Sequence, residues 1–168
     1  MLQLHQLLSR LLKAEVEFVL VGGLAAATHG SSLNTRDVDV CVRLTEANLM
    51  RIQSAVADLH PVHRARPDIP LALTPEQCAR TRNLYLKTDL GIVDCLGEVL
   101  AVGDYEAALS HSIVLNLPIG ACRILDLDTL IKAKEAMGRP HDLITVQHLK
   151  AVKAQVESNS VQTHEDKN

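Results

Sequence analysis

Two aspartates alternate with valines in Arg36-Asp37-Val38-Asp39-Val40. In a strand, successive side chains point to opposite faces. Asp37 and Asp39 therefore share one face, and Val38, Val40 and Val42 bury on the other. Two carboxylates held this close repel each other, and the pair is costly unless solvent, a proton or a cation compensates it. Oxygen-only ligands at such spacing suit Mg²⁺, which keeps several waters and shares its shell with substrate phosphates. Gly22-Gly23 precedes the pair. A glycine-rich turn leading into a helix presents free N–H groups and a dipole that attract phosphate. Either feature alone is ordinary: an acidic pair on an exposed strand is usually a solvated face, and a diglycine is usually a turn. Their order and strand context together point to one site for a cation and a phosphate.

A third acid stands in Gly91-Ile92-Val93-Asp94-Cys95-Leu96, out of character with its apolar neighbours. It either faces water from a strand edge or serves as a further carboxylate of the same site. Asp89 and Glu98 are weaker candidates, because both fall in turn-like segments.

These segments also carry a family resemblance. Val21-Gly22-Gly23, a spacer, then Asp37-Val38-Asp39-Val40 resembles the signature of the DNA-polymerase-β-like nucleotidyltransferase superfamily: an apolar residue, Gly, Gly or Ser, then two acids alternating with apolar residues. Thr35-Arg36-Asp37-Val38-Asp39-Val40 resembles the small bacterial members of the minimal and abortive-infection toxin type. The stretch from Leu127 to Leu143 resembles the C-terminal part of that group, a helix with lysines followed by Gly-Arg-Pro and a Lys-Asp pair. Here His141 stands in place of the lysine. The resemblance spans about residues 15–150.

That resemblance implies a small mixed β-sheet flanked by helices, α/β (α+β) in class and nucleotidyltransferase-like, over residues 1–157, with 158–168 a polar, flexible tail. It implies transfer of a nucleoside monophosphate from a nucleoside triphosphate to a hydroxyl, with release of pyrophosphate. Asp37, Asp39 and Asp94 become the catalytic acids and the ligands of two Mg²⁺ ions, with Mn²⁺ as an alternative cation. Gly22 and Gly23 would take the phosphates. Ser31 and Thr35 supply hydroxyls for a γ-phosphate, and Arg36 either bends round to the phosphates or pairs with Asp37. Lys132 and Lys134 do not share a helix face, so one reaches the triphosphate and the other is solvated; Lys132 is the candidate here. Arg139 either binds phosphate or pairs with Asp142 or Asp128. The implied acceptor is RNA (tRNA) or a protein, within a toxin–antitoxin system and with a cognate toxin or antitoxin as partner. Two alternatives stand beside it: a non-catalytic nucleotide-binding or antitoxin-type module, and an enzyme that modifies an antibiotic hydroxyl.

Composition sets the surroundings. The chain of 168 residues is 47% hydrophobic but only 2% aromatic, so one aliphatic core is expected and base-stacking platforms are nearly absent. The net charge of −3 gives no global field for a polyanion. Contact with RNA would fall to a local basic patch, and His60, His63, Arg64, Arg66, Arg80 and Arg82 supply one. His60 and His63 flank Pro61 and lack the partners of a zinc site. Cys41, Cys78, Cys95 and Cys122 form no C-x-x-C pair, and neither a signal-peptide pattern nor a transmembrane run is seen. Free buried thiols, a cytoplasmic location and no membrane partner are the expectation.

The elements that position the acids follow from periodicity. Leu4, Leu7, Leu8, Leu11 and Leu12 mark an amphipathic first helix. A buried strand over 16–21 meets the diglycine, a short helix covers 24–29, a loop 31–35 and the acidic strand 37–43. Thr45 caps a helix striped by Leu49, Ile52, Val56 and Leu59. The proline-rich stretch 60–75 reads as a loop, ending at a helix start in Thr74-Pro75-Glu76-Gln77. Hairpins are expected about Asp89-Leu90-Gly91 and Pro118-Ile119-Gly120, with a helix from Asp104 between them. Asp128 would cap a helix ending near Gly138, and a last helix would begin near Asp142.

Overall fold

The computed structural model describes residues 2–165, with side chains through 158. Its centre is a mixed sheet of eight strands in the order β4-β3-β5-β6-β2-β1-β10-β9. These are β1 (Phe18–Val21), β2 (Asp37–Val42), β3 (Val62–His63), β4 (Arg66–Pro70), β5 (Asn83–Thr88), β6 (Gly91–Leu96), β9 (Ser112–Leu117) and β10 (Gly120–Leu125). A separate two-stranded ribbon joins β7 (Glu98–Val99) to β8 (Gly103–Asp104). The helices are α1 (Leu2–Lys13), α2 (Gly22–Thr28), α3 (Glu46–Val56), α4 (Pro75–Arg80), α5 (Tyr105–Ser110), α6 (Leu127–Met137) and α7 (Pro140–Glu165). The mixed α/β class read from the sequence is the class observed.

Three central pairings place the acids. β2 runs antiparallel to β1 and parallel to β6, and β1 runs parallel to β10. The register sets Asp39 opposite Val21 on one side and Asp94 on the other. Val38, Val40 and Val42 are buried on the far face; α1 packs on β2, and α3 packs on α1. Leu7, Leu8 and Leu11 of α1 and Leu49, Ile52 and Val56 of α3 are fully buried there. Each such side chain contributes about 1.5–3 kcal/mol on burial. The period-2 alternation of β2 thus leaves its carboxylates on the side where α2 packs on β2 and α6 packs on α2, with a cavity left open over them.

Local chemistry closes the elements. Thr45 accepts from the Asn48 N–H at the start of α3. Asn48 is itself fully buried and satisfied: its side chain bonds both backbone groups of Glu17 and the carbonyl of Arg43. That one amide ties the entry of β1 to the exit of β2. Thr74 and Gln77 form the expected reciprocal cap, and Asp104 caps α5. Both hairpins form about the expected turns.

The structure differs from the sequence reading in four places. The stretch 60–75 is not a loop throughout: β3 and β4 pair antiparallel there. Pro67 and Pro70 fit because β4 is the sheet's edge, where a missing N–H removes no ladder bond. The cap of α6 is Asp126, which accepts from Thr129 N–H, not Asp128. The last helix begins at Pro140, because proline is well suited to a first helical position. Its backbone remains helical past Ser158 to Glu165, beyond the boundary read for the tail; residues 166–168 of that tail lie outside the described residues. No described helix is long and apolar enough to cross a membrane. All four cysteines are free and buried.

Candidate active site

Gly22 ends β1 and opens α2 with φ +65°, a conformation L side chains rarely adopt. The space a side chain would take there belongs to Asp39: a Cβ on Gly22 would lie 1.9 Å from Asp39 Oδ2. Gly23 makes the same allowance for Thr35, whose Oγ1 would be 2.6 Å from its Cβ. The Thr35 hydroxyl is 3.0 Å from Asp37 Oδ1 and 3.2 Å from the Asp37 carbonyl, and so fixes that carboxylate. The diglycine therefore makes room for the acids and their support. α2 itself has only seven residues, too short for its dipole to hold a phosphate unaided.

Asp37, Asp39 and Asp94 converge. One oxygen from each lies within 4.8 Å of the others. Burial, then Asp37, then Asp94 push the Asp39 carboxyl up to about 6, against weaker lowering by the Gly23 N–H and Lys134. Asp94 is also raised by burial, in spite of Arg64, whose Nη1 lies 2.9 Å from Asp94 Oδ2. The other oxygen, Asp94 Oδ1, is buried and has no hydrogen-bond partner among the described residues. An all-carboxylate set with an orphaned buried oxygen and one proton-hungry member fits a hard divalent cation such as Mg²⁺.

A cavity of about 550 Å³ opens over these acids. Ser31, Thr35, Arg36 and Arg139 line it, as do Gly23 and the three aspartates. Gly22 lies outside it and lines a neighbouring cavity. Arg36 is exposed, lines the cavity and makes no ion pair among the described residues. Ser31 is buried, and its hydroxyl accepts from the Leu33 N–H at 3.4 Å. Arg139 reaches the cavity while its Nε bonds Asp142 Oδ2 at 2.5 Å, one of the two pairings the sequence allowed.

Lys132 is the exception. It is exposed and does not line the cavity. Lys134 does, from a buried position with its Nζ 2.9 Å from Asp142 Oδ1. Its signal was present: Lys134 falls three and four residues after Ile131 and Leu130, on the buried stripe of α6. Arg64, read from the sequence only as part of the mid-chain basic patch, also lines the cavity. It lies over the Tyr85 ring, 5.2 Å from the centroid, and bonds Asp94. No local pattern announces this, since it depends on the register that sets Tyr85 opposite Asp94. The mid-chain basic cluster divides: Arg64 enters the site, while Arg82 lines a different cavity beside Arg43 and Glu106. His60 pairs with Asp89, Nδ1 to Oδ2 at 2.7 Å.

Comparison with known proteins adds the fold. No family model matches the chain, and no curated protein matches it. Among solved structures it is similar to the solution structure of the antibiotic-resistance factor ANT(2'')-Ia, with TM-score 0.55 and 11% identity over 99% of this chain and 97% of that one. The fold is nucleotidyltransferase-like.

Proposed function

We propose that the chain is a nucleotidyltransferase dependent on Mg²⁺, moving a nucleoside monophosphate from a nucleoside triphosphate to a hydroxyl acceptor. The observation that carries this is the convergence of Asp37, Asp39 and Asp94 beside the diglycine bend, inside a cavity ringed by cationic side chains. The acceptor oxygen bonds to the α-phosphorus, the bridge to the β-phosphate breaks, and pyrophosphate leaves.

Asp37 and Asp39, with Asp94, would hold the cation, which when bound would neutralise phosphate charge and lower the pKa of the attacking hydroxyl. The chain's own groups do the rest. Thr35 keeps Asp37 aimed. Arg36, Lys134 and Arg139 draw the polyphosphate to one side of the acids. Asp94, the third carboxylate of the cluster, would accept the acceptor's proton. The catalysis is positioning and electrostatics, without a covalent enzyme intermediate.

The cationic ring favours an RNA end or a protein hydroxyl over a polycationic acceptor, in keeping with a toxin-type role. The likeness of fold to an antibiotic-resistance factor supports the second reading, an antibiotic hydroxyl. Incubation with α-phosphate-labelled nucleotides, Mg²⁺ and parallel panels of RNA, protein and antibiotics tests both. Label should move to one acceptor class with the wild type and to none with Asp37→Asn. Equal transfer by both proteins would refute the assignment. Growth arrest on expression would mark a toxin, and resistance would mark drug modification.

A further inference from the structure

Asp39 has a second cavity at its back. This one holds about 230 Å³ and shares Asp39, Lys134 and Arg139 with the first. Its walls are otherwise mainly aliphatic, from Leu96, Val99, Leu125, Leu130 and Met137, with Glu98 the one further charged residue. Drug-sized ligands take roughly 300–1,000 Å³, so this space suits one heterocyclic ring system and little more. Leu100 stands at its rim, 57% exposed, on the turn between β7 and β8 where Ala101 has φ +63°. A large aliphatic side chain left in water beside an aliphatic hole has an obvious use as its cover.

We propose that this cavity takes the base of the nucleoside triphosphate, which rests on the transferase reading above. The charges decide the direction. The reacting phosphorus must lie at the carboxylates. The polyphosphate tail, carrying most of the negative charge, goes to the side where Arg36 and Arg64 add to Lys134 and Arg139. The nucleoside then leaves the α-phosphate on the opposite side, where the structure adds apolar walls and Glu98 to the shared Lys134 and Arg139 and supplies no further cation. A base held between Leu130 and Met137 of α6 and Leu96 and Val99 of the facing strands gains affinity by burial of its faces, without aromatic stacking. The aliphatic cavity thus supplies the affinity for the nucleoside, and the cationic cavity the affinity for the polyphosphate.

Two variants test this. Ala133→Leu fills the cavity from a buried position on α6, and Leu100→Ser removes its cover from an exposed one, so the second serves where the first disturbs folding. Binding of non-hydrolysable ATP, GTP, CTP and UTP analogues and of inorganic tripolyphosphate is measured by calorimetry in Mn²⁺. The wild type should bind at least one nucleotide about tenfold more tightly than tripolyphosphate, a difference of about 1.4 kcal/mol. Both variants should lose that advantage yet bind tripolyphosphate as the wild type does. Folded variants that keep the nucleotide advantage would overturn the base pocket and leave the transferase reading standing. A wild type that binds neither nucleotide nor tripolyphosphate would overturn both.

Discussion

The α-carbon of Gly22 packs against the carboxylate of Asp39 so closely that a Cβ would overlap Oδ2, at 1.9 Å. The two halves of the sequence signature are therefore one contact in space. Gly22→Ala should displace Asp39 and strain a backbone with φ +65°, destabilising the fold by about 1–3 kcal/mol. Thermal unfolding with and without Mn²⁺ checks it: the melting temperature falls and the stabilisation by Mn²⁺ disappears. An alanine variant with wild-type stability and cation response would show that the contact is incidental.

Asp39 gives a prediction with a sign. Its folded pKa of about 6 lies above the ordinary carboxylate value, so between the two the native state binds more protons than the unfolded one. With cations removed by chelation, stability should fall as pH rises through about 6. Asp39→Asn should remove that penalty and gain on the order of 1–2 kcal/mol at neutral pH, less than the full shift implies because the site is partly solvated. Denaturant unfolding in chelator at pH 5 and pH 7.5 measures it. A wild type that is more stable at the higher pH than the asparagine variant would contradict the buried-acid account.

Much of this was legible in the chain because it is local. Alternation in Asp37-Val38-Asp39-Val40 fixes the acids' common face, and both hairpins announce themselves by their turns. Thr45, Thr74 and Asp104 cap where their spacing predicts. What failed depends on the tertiary frame. Prolines read as loop are tolerated in β4 only because nothing pairs beyond it. Choosing Lys134 over Lys132 needs the phase of α6 against the site, which its apolar stripe encodes but which lysine spacing alone does not. Arg64 reaches Asp94 across strands distant in sequence, so no window containing either residue shows the pair.

Asp142 is fully buried between Lys134 and Arg139. Burial pushes its carboxyl up, but the hydrogen bonds from Arg139 and Lys134 outweigh this and hold it below its ordinary value. A depressed carboxylate stabilises above its unfolded value, and that stability is lost as pH falls through the folded one. Asp142→Ala should cost about 3–5 kcal/mol at neutral pH, since it strands the buried Lys134 ammonium. Lys132→Ala should change stability by no more than about 0.5 kcal/mol. Urea titrations of the two variants compare them; similar losses would mean that the buried pair is not the anchor of α6 on α7.

Arg64 holds Asp94 from a half-exposed position. Arg64→Ala should therefore alter stability by less than about 1 kcal/mol. It removes a cation from the polyphosphate side of the cavity, so tripolyphosphate affinity in Mn²⁺ should drop about tenfold. Calorimetry reads both effects, and unchanged tripolyphosphate affinity would place Arg64 outside the phosphate site.

Mn²⁺ binding followed by electron paramagnetic resonance bears most directly on the three acids as a cation site. Wild type and Asp39→Asn are titrated at pH 7.5, with and without a non-hydrolysable nucleoside triphosphate, after circular dichroism shows both folded. Wild type should take up Mn²⁺, more tightly with nucleotide present, and the asparagine variant should lose at least about tenfold in affinity in both conditions. Equal Mn²⁺ uptake by the two folded proteins would contradict the account.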